Sequence, residues 1–277
     1  DRDYPSRRGP AKNIVNYMKS DKDNLMPIMT NSESIYQFGN NAYGKPATAL
    51  NILRETIVGR ELFDFAFKEY SKTWMFKHPT PSDFFRILEN ASAVDLDWFW
   101  RGWFYSTDPV DISIDEVKWY TLDTRNPEIE FPLKKLDEEN EPTQSWEEKN
   151  RIEIQETIVE IDEEANDFYN KYDPYEVTIL DINDFIKYRD SSVVEPQEKR
   201  IYNSNLNYYE IKFSNVGGLV MPIILELQYE DSTNYIIRIP AEIWRKNRNQ
   251  ITKVFATKKL VKSFNLDPQL ETADINP

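Results

Sequence analysis

At Pro109 the hydrophobic pattern of this chain changes its period. Before it, apolar residues recur every three to four positions, the spacing of one face of a helix. After it they alternate, the spacing of one face of a strand. A helix-period segment followed by strand-period segments restricts the fold to an α+β arrangement: an all-α part, then a mainly antiparallel β part.

The helical stretch covers residues 10–108. "GPAKNIVNYMKS" places Ile14, Val15 and Met18 on one face behind Pro10. "KPATALNILRETIV", residues 45–58, puts Ala49, Leu50, Leu53 and Ile57 at helical spacing. Pro46 fits a first helical turn, where its missing N–H is no loss, and Gly59 is placed to end the helix. "RELFDFAFKEYSKTW" is helical again. "TPSDFFRILENAS" has Thr80 as a candidate N-cap and Pro81 at the first helical position. "DLDWFWRGWFYST" is a fifth, aromatic helix.

Beyond Pro109, "VDISIDEVKWYTLD" reads as one or two strands. Residues 122–150 are rich in acid and proline and read as a long mobile excursion or linker. In residues 151–200, "IQETIVEIDEEANDFYNKY" has the character of a helix, and "VTILDINDFIKYRD" that of a strand followed by a helix. Five short strands follow between 205 and 266, with Gly217 and Gly218 at a turn, which suggests a small β-sandwich. The end, "NLDPQLETADINP", is polar and reads as a strand leading into a surface tail. The expected organisation is thus a helical part (1–108), a connecting region (109–200) and a sandwich-like domain (201–277).

Composition narrows the chemistry. With 48 acidic against 34 basic residues the net charge is -14, which repels nucleic-acid phosphates and anionic lipid surfaces. No cysteine is present, so disulfides, thiolate metal sites and cysteine nucleophiles are excluded. No apolar run is long enough to span a bilayer, and "DRDYPSRRGPAKN" contains no apolar leader segment. His78 is the single histidine, in a loop before Pro79. One histidine cannot supply the H-E-x-x-H pair of a zinc site. The carboxylate runs Asp137–Glu141 and Asp162–Glu164 lack calcium-loop spacing and read as solvated surface. Asn90-Ala91-Ser92 matches a glycosylation triplet, a pattern that chance supplies often. Tyr43, in "IYQFGNNAYGKPATAL", follows a polar loop at the mouth of a helix. Its phenol could donate to a developing oxyanion. On spacing alone, local packing at the helix entrance is the simpler reading.

The ordered series Tyr43, Lys45, Leu50, Gly59, Phe63, Tyr70, His78, Pro79, Thr80, Asp83, Phe84, Leu96, Phe99, Trp100 and Trp103 resembles the aminopeptidase N type of zinc metallopeptidases, the gluzincins. The resemblance covers about residues 35–110. It implies that Tyr43 stabilises the oxyanion formed during peptide-bond hydrolysis at a peptide N-terminus. The family usually has Gly where this chain has Pro46. The family's H-E-x-x-H ligands, its further Glu ligand and its G-x-M-E-N strand have no match here. The resemblance therefore implies a C-terminal fragment whose zinc, general base and substrate-amine site belong to the preceding half of the same polypeptide. This chain would bind no metal and would be inactive alone. "NVGGLVMPIILELQYEDSTNYIIRI" is similar to a segment of the β-domain in large secreted bacterial homologues, which implies a periplasmic or cell-surface location. A non-catalytic scaffold derived from the same fold is the alternative.

Overall fold

The computed structural model describes residues 9–193 and 195–277, apart from the side chains of residues 169 and 170. The first eight residues, which begin the segment without an apolar leader, lie outside that range. The fold is α+β, with two antiparallel three-stranded sheets. Contacts divide the chain into two compact units, one of Asp1–Tyr120 with Tyr208–Pro277 and one of Thr121–Asn207. This division differs from the three segments read from the sequence. The helical part and the later strands share one unit, and the second unit is inserted between two strands.

In the first unit the helices are α1 (Val15–Met18), α2 (Lys45–Ile52), α3 (Arg60–Trp74), α4 (Pro81–Ser92) and α5 (Asp97–Tyr105). Their ends follow local chemistry. Gly59, at φ 89°, separates α2 and its final turn from α3 in a conformation that favours glycine. Thr80 and Asp83 form a reciprocal capping box at the start of α4: Asp83 Oδ2 accepts from the Thr80 N–H at 2.9 Å and from its hydroxyl at 2.6 Å. Helix α5 buries Phe99, Trp100, Trp103 and Phe104. Trp100 stacks on Phe85 of α4 with ring centroids 4.5 Å apart.

The strands are β1 (Ile112–Thr121), β2 (Asn207–Asn215), β3 (Ile223–Tyr229), β4 (Asn234–Ile239), β5 (Gln250–Thr257) and β6 (Val261–Leu266). They form sheets ordered β1-β2-β5 and β4-β3-β6. In β3, Leu225 stands opposite Ile237 and Leu266, and Leu227 opposite Tyr235 and Phe264. Alternation holds in β2, where Tyr209, Ile211, Phe213 and Asn215 are buried. Tyr209 meets Phe264 edge-on at 5.4 Å and accepts a hydrogen bond from the Val261 N–H at 2.8 Å, joining the two sheets. Between α5 and the sheets lie Trp103 and Met221, with the Trp103 Nε1–H 3.4 Å from Met221 Sδ. Trp244 Nε1 donates to the Met221 carbonyl at 2.9 Å. One core thus serves helices and strands together.

Three sequence expectations are corrected. The segment from 267 onward is no surface tail: Asp267, Thr272, Ala273 and Asp274 are buried. Asp274 Oδ2 accepts from the Ile112 N–H at 2.9 Å, and Asp267 accepts from Thr272 N–H and Oγ1 at 2.9 and 2.6 Å. Polar residues are inside because the start of β1 and the final turn have backbone donors that need acceptors. Second, residues 122–150 are not a linker. They form α6 (Pro127–Glu139) and α7 (Ser145–Glu153). Proline at the first helical position and acids in the first turn favour a helix start as readily as they break order. Third, the strand expected at "VTILD" is the first turn of α10 (Ile179–Ser192), fixed by the Thr178–Asp181 capping box. The second unit is completed by α8 (Ile158–Ile161), α9 (Phe168–Lys171) and α11 (Pro196–Tyr202), so the helix expected over "IQETIVEIDEEANDFYNKY" is broken into short turns.

Candidate functional site

Tyr43 does not end a loop. It lies inside a helical run, in a π turn over Asn40–Gly44 that leads directly into α2. The cause is Pro46. In a regular α-helix its ring would press on the carbonyl four residues back, and its nitrogen has no hydrogen to donate. The ladder opens instead: the Lys45 N–H bonds to the Asn40 carbonyl, five residues back. Such single widened turns re-aim side chains and are frequent at functional sites.

The turn has two faces. Tyr43 projects outward and is 51% exposed, with Phe38 edge-on to its ring at 5.7 Å. On the other face Asn41, Lys45 and Thr48 are buried. Asn41 Nδ2 donates to the carbonyls of Met26 at 2.7 Å and Pro27 at 3.3 Å. The Tyr17 hydroxyl faces the Asn41 side chain; burial pushes this phenol up, and Asn41 draws it partly back. Lys45 Nζ donates to the Ser106 carbonyl at 2.9 Å, at the C-terminal end of α5. Burial holds the Lys45 ammonium down to about 8, and the charge of Asp108 opposes that shift. The C-terminal end of a helix is a favourable place for a cation. The turn is therefore pinned from below by two buried polar side chains, while the Tyr43 side chain is about half exposed on the other face.

No family model matches this chain, and no curated protein matches it.

Sequence reasoning picked out Tyr43 and placed Lys45 beside it, but passed over Asn41. Its signal was legible: Asn41, Lys45 and Thr48 stand four and three residues apart, a polar stripe on one helical face. His78 is exposed in the loop before α4, as are Asp137–Glu141 and Asp162–Glu164 apart from their backbone turns. Asn90 of the glycosylation triplet lies in α4, with Ser92 buried.

The zinc implied by the resemblance finds no fitting donors here. Among the described residues the one group able to bring three metal-ligating atoms together is Glu89, Asp95 and Asp97, whose oxygens lie within 4.8 Å of one another. It contains no imidazole, and zinc sites draw chiefly on nitrogen and sulfur. These carboxylates also hold the α4–α5 turn. Glu89 Oε1 accepts from the Leu96 N–H at 3.0 Å and Asp95 Oδ1 from the Asp97 N–H at 3.2 Å. Burial pushes the Glu89 carboxyl up, against that Leu96 bond. A groove of about 430 Å³ opens beside the same turn, lined by Trp98, Arg101, Val220, Trp244 and Arg245 among others; Tyr43 is not among its lining residues.

Proposed function

We propose that this chain is the C-terminal part of an aminopeptidase N type zinc metallopeptidase, and that Tyr43 is its contribution to the reacting centre. The observation that carries this reading is the division of labour within one π turn. An exposed phenol stands on backbone held by buried Asn41 and Lys45. A donor that acts on a developing oxyanion must be fixed before the charge appears, because reorganisation at that moment costs part of the stabilisation. As the scissile carbonyl oxygen gains charge, the Tyr43 O–H donates to it and keeps its proton.

The metal and the general base are not supplied by this chain, and no step through them is assigned to its residues. Alone, the chain is expected to be inactive. The substrate class is the N-terminal end of a peptide, the partner is the preceding part of the same polypeptide, and a periplasmic or cell-surface setting goes with the resemblance. The test is an assay of the longer natural polypeptide that contains this chain, on aminoacyl-arylamides, with zinc present and after chelation. Arylamine release that chelation abolishes and zinc restores supports the reading. Absence of release across a range of aminoacyl groups sinks it.

A second reading, a non-catalytic binding protein on the same fold, is favoured by one observation. Residues 121–207 form a highly acidic unit with large apolar side chains turned to solvent. An intact H-E-x-x-H segment in the longer polypeptide favours the peptidase; a degenerate one favours the binder.

A further inference from the structure

The chain's negative charge is concentrated in one place. Within residues 121–207 stand 23 acidic and 10 basic residues, so nearly all of the net charge of -14 belongs to the inserted unit. The rest of the chain is close to neutral.

The same unit lacks an interior. Among its described residues only Pro127 is buried. Many of its large apolar side chains are exposed: Ile152, Ile158, Ile161, Phe168, Ile179 and Leu180 are each about 70–80% exposed, while Phe131, Ile182, Phe185 and Tyr188 are half-buried. Much of what holds the helices is polar, beside ring contacts such as Phe131 edge-on to Tyr175 at 6.4 Å. Capping boxes start α7, α8, α10 and α11. Lys135 pairs with Asp173 at 3.0 Å, Arg125 lies over the Tyr188 ring at 4.4 Å, and the Tyr202 hydroxyl donates to the Thr124 carbonyl at 2.9 Å. Such contacts contribute about 0.2–1 kcal/mol each at a surface. Ordering backbone costs roughly 1–2 kcal/mol per residue, which burial of apolar surface normally offsets. Helices this short are marginal without such burial. The unit has apolar residues enough for a core, but its most apolar side chains are left largely exposed.

Charge decides what can cover them. A second copy carries the same excess of acid and repels the first. Nucleic acid and anionic lipid are repelled likewise. A basic surface is attracted, and one with apolar residues between its cations also supplies the missing burial.

We propose that residues 121–207 are a docking unit for a basic, amphipathic protein segment, which packs its apolar face on the exposed isoleucines while its lysines or arginines meet the surrounding carboxylates. The proposal goes beyond the peptidase reading and does not depend on it.

The test uses the whole chain and three labelled helical peptides: one of Leu and Lys at amphipathic spacing, one of Ser and Lys with equal charge, and one of Leu and Glu. Binding is read by fluorescence anisotropy and helicity by circular dichroism. The Leu/Lys peptide should bind at least about tenfold more tightly than the Ser/Lys peptide, since each isoleucine fully buried contributes roughly 1.5–3 kcal/mol. Its affinity should fall as salt rises, and the complex should gain helicity over its parts. Ile158→Ser and Ile179→Ser, both at exposed positions and neutral in charge, should each weaken it by about tenfold. Equal binding of the Leu/Lys and Ser/Lys peptides overturns the proposal, because charge alone then suffices. So does unchanged binding in both isoleucine variants. Self-association of the chain, or binding to uncharged lipid vesicles, that buries Ile158 and Ile179 without any basic peptide overturns it in favour of another occupant.

Discussion

Lys45 Nζ donates a hydrogen bond to the Ser106 carbonyl at 2.9 Å from a side chain that is 1% exposed. This contact ties the turn carrying Tyr43 to the end of α5. Its pH dependence has a definite sign. The folded Lys45 binds its proton less tightly than an unfolded lysine, because burial holds it down to about 8 against roughly 10.4 unfolded. Its contribution to stability is full above the unfolded value and is lost as pH falls through about 8. The difference in melting temperature between the wild type and Lys45→Met should therefore be larger near pH 10 than near pH 7. A difference that does not change with pH would remove Lys45 from the account of the turn.

Asp274 has the opposite sign. Burial pushes its carboxyl up to about 6, the N–H groups of Asn276 and Ile112 pull it down, and the charges of Asp111 and Asp267 push it up further. A raised folded value means that the proton stabilises the fold. The contribution is present below the unfolded value and lost as pH rises through about 6. Relative to Asp274→Asn, the wild type should lose stability between about pH 4 and pH 7. Denaturant titrations of both proteins across that range measure it.

Trp103 tests whether the helices and sheets of the first unit fold together. It is fully buried in α5 and reaches Met221 beside β3. Trp103→Ala should cost about 3–5 kcal/mol. Far-ultraviolet and aromatic circular dichroism should shift together to the same lower midpoint. Separate midpoints would show that the two parts unfold independently.

Gly217 is set by space. A Cβ there would lie 2.3 Å from the Pro109 carbonyl oxygen and 2.7 Å from the Asp111 nitrogen, both backbone atoms. The Gly217 N–H also bonds to the Asp111 carbonyl at 3.1 Å. Gly217→Ala should separate the 215–219 turn from the start of β1 and lower the melting temperature strongly, whereas Gly39→Ala, in open space, should not. Equal melting temperatures would contradict the close approach.

The parts legible in the sequence are those where local signals agree. The Thr80-Pro81 start of α4, the Gly59 break and the alternation of Tyr209, Ile211 and Phe213 were all readable because propensity, capping and period point the same way. The misread parts are those where a residue has two local meanings. Pro127 and its acids serve a linker or a helix start, and Thr178 to Leu180 serve a strand or a capped first turn. Asp267 and Asp274 are polar yet buried, because their partners, the Thr272 and Ile112 N–H groups, are fixed by tertiary structure rather than by neighbours on one face. At the candidate site, Tyr43 drew attention by its place before a helix, and the oxyanion role proposed for it comes from the resemblance. The π turn that carries Tyr43 is compatible with Pro46, and it buries Asn41 and Lys45 against the Met26 and Ser106 carbonyls, distant in sequence.

The most direct measurement of the proposed role is the turnover of aminoacyl-arylamides by the longer zinc peptidase that the proposal calls for, wild type beside Tyr43→Phe. The melting temperatures of the two proteins, measured alongside, separate a loss of the donor from a loss of fold. Loss of an oxyanion donor should lower kcat on the order of 100-fold or more, with little change in KM. Turnover equal to the wild type, in a protein of equal stability, would contradict the role assigned to Tyr43.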